Sequence, residues 1–181
     1  MSEITFGFSK PRKFAIFSLI IRLIEKRPYS HVYLKWTSEW LERDIIYQAK
    51  STMVHFIGGK LFRKSSCPII EYSFDITDER KNELIKWCMD NAGLSYGMLH
   101  ILGMGYVRFW EFLGIKNIPN PFSDDDDEPT HVCSKLAAIA LVDILKAADL
   151  SREELNTAGP SKIEKILKQV PGVKIREFES C

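Results

Sequence analysis

Apolar and polar positions alternate from Glu3 to Phe8, from His31 to Trp36 and from Ile45 to Lys50, the two-residue period of half-buried strands. The first of these is expected to break at Gly7, and the other two to flank a polar turn with Ser38 and Glu39. Two further extended stretches are expected, Val54 to Phe62, interrupted by Gly58-Gly59, and Ile69 to Phe74. The period then changes. Ser9-Lys10-Pro11 reads as a helix start, since Ser is a good N-cap and Pro suits the first turn, and this helix is expected to end before Pro28. Thr77 caps a helix through about Asn91, with Gly93 as its left-handed stop. Cys133 to Ala148 is apolar on most faces and therefore reads as a central helix. Ser151-x-x-Glu154 and Ser161-x-x-Glu164 are capping-box patterns that open short terminal helices.

Two stretches stand apart from this alternation. Tyr96 to Phe122 is aromatic, apolar and punctuated by glycine, and reads as helical pieces packed into a core rather than as a lipid or acyl-chain surface. Ser123-Asp124-Asp125-Asp126-Asp127-Glu128-Pro129 reads as a solvated loop whose charge also favours the N-terminus of the helix behind it; the alternating ligands and turn glycine of a calcium loop are missing. Near the N-terminus, Phe14 to Ile21 follows Lys10, Arg12 and Lys13, but passes into Arg22 and Glu25-Lys26-Arg27 with no small-residue cleavage site. It is also shorter than the roughly 20 apolar residues that span a bilayer, so a buried or amphipathic helix is expected, with interfacial membrane contact as the other reading.

Composition narrows the class. The chain has 181 residues, enough for one domain with a real core, so residues 1–181 are read as a single unit. A net charge of +1 gives no field that would point to nucleic acid. Cys67, Cys88, Cys133 and Cys181 are irregularly spaced and contain no Cys-x-x-Cys pair, which fits reduced thiols and a cytoplasmic protein. Nothing in the sequence calls for a cofactor.

Candidate chemistry rests on two positions. Cys133, in His131-Val132-Cys133-Ser134-Lys135-Leu136, stands where the acidic loop gives way to the apolar helix, and a helix N-terminus favours thiolate over thiol. His31, in Ser30-His31-Val32-Tyr33, opens a strand, and an imidazole brought near the sulfur can accept its proton and return it to a leaving group.

These surroundings resemble the circularly permuted papain-like thiol hydrolases of the NlpC superclass, including YiiX-like and lecithin:retinol acyltransferase-like proteins. There the His precedes the Cys, the His sits in a Ser-His-Val-Gly-like strand start, and the Cys reads Cys-Ser-Glu-Leu at the head of a buried helix. Ser30-His31-Val32-Tyr33 and Cys133-Ser134-Lys135-Leu136 each match three of four positions. Tyr47-Gln48-Ala49 stands where the family often ends a strand in Glu-Ala, and Gly93-Leu94-Ser95-Tyr96 where it often has Gly, two variable residues and Tyr. The resemblance implies an α+β fold: a small antiparallel sheet or half-barrel packed on a central helix that begins at the nucleophile. It implies a thiol hydrolase or acyltransferase that cleaves a peptide, isopeptide or ester bond through an acyl-enzyme, with Cys133 as nucleophile, His31 as base then acid, and Gln48 as the group that orients the ring. The backbone N–H of Cys133 would form part of the oxyanion hole.

Two departures from that pattern bear on activity. Gln48 can accept from the imidazole but adds no negative charge, and Tyr33, in place of a small residue, either narrows the site or points away.

Other residues compete for these roles. His131 lies two positions before Cys133, His55 could replace Gln48 as the orienting group, and His100 sits in an apolar run that suits a core or surface histidine. A zinc site of His31, His131 and Cys133 lacks a fourth ligand at a recognised spacing, so no metal is expected. Cys133 also fits a small buried hydrophobe. The alternative class is therefore an inert binding module on the same fold, with the aromatic residues 104–113 as its contact surface.

Overall fold

The computed structural model describes residues 1–50, 53–94, 110, 114–115, 118–119, 133–151, 154–155 and 158–179. The acidic loop, His131, His100 and most of the aromatic stretch from Tyr96 to Phe122 lie outside these residues. The fold is α+β. Six strands, β1 (Ser2–Pro11), β2 (His31–Ser38), β3 (Arg43–Lys50), β4 (Met53–Gly58), β5 (Ser66–Ile76) and β6 (Lys174–Glu177), form one antiparallel sheet in the order β4-β3-β2-β1-β5-β6. The helices are α1 (Ile16–Glu25), α2 (Gly59–Ser65), α3 (Asp78–Asp90), α4 (Cys133–Ile139), which runs on as a π-helical turn over Ala140–Ile144, and α5 (Pro160–Leu167).

Alternation sorts the sheet into two unlike faces. Phe6, Phe8, Val32, Leu34, Tyr47, Ala49, Val54 and Tyr72 point to one side and join Leu136, Ala137, Ala140 and Leu141 of the α4 segment in the main core. The opposite side is mostly polar, and its apolar cover is a small cluster of Tyr33 and Ile46 beneath Phe62 of α2. The Tyr33 ring lies 4.6 Å from that of Phe62, and its hydroxyl donates to Glu71 Oε1 at 2.8 Å, while Lys35 holds the other Glu71 oxygen. Gly7 is needed directly across from Tyr33, because a Cβ there would stand 2.1 Å from the ring.

Several local expectations are corrected. Gly7 does not break β1, and Ser9-Lys10-Pro11 does not start a helix: all three continue β1 and pair with Pro68, Cys67 and Ser66 of β5. Helix α1 begins five residues beyond Pro11 and ends at a left-handed Lys26. The stretch Val54 to Phe62 is not extended throughout, since Gly58 caps α2, whose Lys-Leu-Phe-Arg-Lys run favours helix. Ser161-x-x-Glu164 is not a capping box: α5 starts at Pro160, Ser161 N–H donates to Glu25 at 3.0 Å, and Glu164 is buried. By contrast, Thr77 Oγ1 does accept from Arg80 N–H, and Ser151 and Glu154 do bond reciprocally. The edge strand β6 had no counterpart among the expected elements.

Cys67 is disulfide-bonded, which departs from the expectation of reduced thiols and removes the cysteine-based argument for a reducing compartment. Among the described residues, no helix is long and apolar enough to cross a membrane.

Candidate functional site

His31 is the first residue of β2, Gln48 lies near the end of β3 and His55 near the start of β4, so antiparallel pairing gathers all three at one end of the sheet. Gln48 and His55 are direct ladder partners, and their side chains share the polar face. The sequence thus brought forward two rival orienting groups, and the fold uses both in series.

The hydrogen bonds fix the proton positions, working outward from a backbone carbonyl. Met53 O can only accept, so His55 Nδ1, 3.2 Å away, carries a hydrogen. In neutral His55 the other nitrogen, Nε2, is then an acceptor, and Gln48 must present its amide NH2 to it at 3.1 Å. That turns Gln48 Oε1 toward His31 Nε2 at 2.9 Å, so His31 Nε2 is the donor and its Nδ1 keeps a lone pair. The relay therefore specifies one tautomer of His31, with Nδ1 as the basic nitrogen. Gln48 is only 2% exposed, so its amide has little competition from water.

The electrostatics favour the neutral ring. Burial and then the Lys50 ammonium lower the His31 pKa from its ordinary value to about 4, with a smaller push from His55, while the Gln48 bond works in the other direction. Lys50 sits on the same strand face as Gln48 and donates to Ser66 Oγ at 2.7 Å; its own pKa is lowered by burial. Sequence reasoning passed over Lys50, whose alternation with Gln48 was the available signal. Ser9, the ladder partner of His31, was also passed over: it is buried, and its hydroxyl has no hydrogen-bond partner among the described residues.

Cys133 is the first residue of α4 and is buried in the main core cluster. Helix α4 packs on β2 and β3, and at the far end of its π-helical extension Arg80 of α3 donates to Ile144 O at 3.2 Å. Because α3 follows directly on the end of β5, that anchor lies at the sheet end opposite His31. The pleat nevertheless turns His31 and Gln48 to the polar face, whereas α4 covers the apolar one. His31 and Cys133 thus belong to opposite faces of the sheet, and any contact between them has to run around its end.

A cleft lined by Trp36, Trp40, Asp78 and Lys81 lies at the opposite end of the sheet and takes no part in this arrangement. No group of three or more His, Cys, Asp or Glu among the described residues is placed to hold a metal ion. No known family model and no curated protein matches the chain.

Proposed function

We propose that the protein is a thiol hydrolase or acyltransferase of permuted papain-like architecture, acting on an amide or ester, with Cys133 as nucleophile, His31 as base and Gln48 as its orienting group. The observation that carries this reading is the Met53–His55–Gln48–His31 relay. It leaves one lone pair, on His31 Nδ1, able to accept a proton at the end of the sheet where β2 begins.

In this reading Cys133 Sγ attacks the substrate carbonyl while its proton passes to His31 Nδ1. The Nε2 hydrogen stays on the bond to Gln48 throughout, which holds the ring in plane as the imidazolium forms. Nδ1 then protonates the leaving amine or alcohol, giving an acyl-cysteine. Water or another acceptor, activated by the same nitrogen, releases the acyl group and restores the thiol. Since burial and Lys50 disfavour the imidazolium, the His31 ring rests neutral, and proton transfer accompanies attack.

Alkylation with iodoacetamide, read site by site by mass spectrometry, tests the pairing. Cys133 should react in the native state, His31→Ala should slow that reaction, and a thiol-directed acyl probe should leave an adduct on Cys133 that Cys133→Ser lacks. The second reading, an inert binding module, is favoured by the burial of Cys133 in the core. Reaction of Cys133 only on unfolding would establish it instead.

A further inference from the structure

Helix α1 is built inside out. At 100° per residue, Ile16, Phe17, Ile20, Leu23 and Ile24 fall on one face about 120° wide. That face is turned to solvent, with Ile16 57% and Leu23 68% exposed, and Phe14 just before the helix is 82% exposed. The polar residues point inward. Ser18 is buried and its hydroxyl bonds to that of Ser30 at 2.6 Å, and Glu25 accepts from Ser161 N–H at 3.0 Å. A surface helix anchored by its polar side has an apolar side fitted to something outside the chain.

The charges around this face select the occupant. Lys10, Arg12, Lys13, Arg22, Lys26 and Arg27 frame or belong to the segment, and its one carboxylate, Glu25, is the group turned inward. Arg12 extends the cationic rim by donating from Nε to Arg63 O at 2.7 Å, which ties the approach to α1 to the basic end of α2. Lysine is depleted at protein interfaces. Apolar side chains that enter an acyl boundary while flanking Lys and Arg stay at headgroup level are the pattern of an interfacial helix.

We propose that α1 docks this protein on an anionic bilayer surface, with Phe14, Ile16, Phe17, Ile20, Leu23 and Ile24 inserted and Arg12, Lys13 and Lys26 against lipid phosphates. The inference does not depend on the thiol chemistry. Ser18 bonds the residue next to His31, so docking through α1 sets the His31 end of the sheet close to the membrane.

Flotation of the full chain with phosphatidylcholine vesicles, with and without phosphatidylserine, tests it. The protein should float with the phosphatidylserine vesicles and dissociate as salt is raised. Lys13→Gln and Lys26→Gln should each weaken binding about fivefold, the share of one cation near an anionic surface. Ile20→Ser/Leu23→Ser should abolish flotation while melting like the native protein, because both side chains are already exposed. The proposal is overturned if the native protein stays in the soluble fraction, or if the double variant floats equally well. It is also overturned if the native protein is a dimer that the double variant dissociates, since the face then belongs to a second copy.

Discussion

Acidification should destabilise this protein through one ring, His31, in a pH window that its surroundings define. Its folded-state value of about 4 lies below the ordinary 6.5, so on lowering the pH the unfolded chain takes up the proton first. The stability due to the neutral ring is therefore complete above about pH 6.5 and is lost progressively as the pH falls toward about 4. The full difference of 6.5 − 4 corresponds to about 3–4 kcal/mol at about 1.4 kcal/mol for each pH unit. The ring is half-buried, and solvent screening reduces the realised loss to about 2 kcal/mol.

Urea unfolding at pH 7, 6, 5 and 4 measures this directly, since a loss of about 2 kcal/mol moves the midpoint by about 1 M for a typical dependence on denaturant. Carboxylates titrate in the same range, so the comparison needs His31→Gln, which can keep a donor for Gln48 but cannot titrate. The native curve should fall relative to the variant between pH 6.5 and 4 and run parallel to it above. Lys50→Met, by removing the second-largest cause of the shift, should raise the folded-state value and so make the fall smaller and end it at a higher pH. Superposable native and His31→Gln profiles, or an imidazole resonance of His31 titrating near 6.5, would falsify the electrostatic account of the relay.

Other consequences are equally direct. Gln48→Leu strands His31 Nε2–H and His55 Nε2 together, and should lower turnover, read with an acyl probe, while circular dichroism stays native. Glu164 receives hydrogen bonds from Tyr29 at 2.6 Å and Tyr72 at 2.8 Å and ion pairs from Arg27 and Lys168; burial raises its pKa, but these partners outweigh it and hold the net value low. Glu164→Leu should therefore cost about 3–5 kcal/mol in equilibrium unfolding, and Glu164→Gln clearly less. Gly7→Ala forces a methyl into the Tyr33 ring and should destabilise by about 2 kcal/mol, with Tyr33→Ala in the same chain recovering part of the loss. Cys88, buried with its thiol pushed far up by burial, should resist alkylation until the chain unfolds.

Alternation made the central strands legible because each pairs on both sides and buries one face, so the period survives in the residues themselves. The misreadings occur where tertiary pairing overrides a good local signal. Ser9-Lys10-Pro11 is a sound helix start taken alone, yet β2 pairs with Ser9 and β5 with all three residues, which extends β1 as far as Pro11. Ser161-x-x-Glu164 is a sound capping box taken alone, yet two tyrosines, an arginine and a lysine converge on Glu164. No spacing rule contains that convergence, because its members come from four elements or their flanks.

The candidate site shows the same division at finer scale. Its members were legible as residue types: His31 at a strand start, Gln48 one strand on, His55 as the competing orienting group. Their order was not, because it depends on the β3–β4 register that places Gln48 opposite His55 rather than one residue away. A slip of one residue would turn Gln48 into the core and expose Ala49, breaking the relay and the packing together. The same pleat answers the question raised by Tyr33: it points away from α4 and turns with His31 to the polar face, where Glu71 and Phe62 hold it. A His on the polar face and a Cys on a helix beneath the apolar face can cooperate only where the sheet ends. The position of His31 as the first residue of its strand is thus as important to the proposed chemistry as its being a histidine.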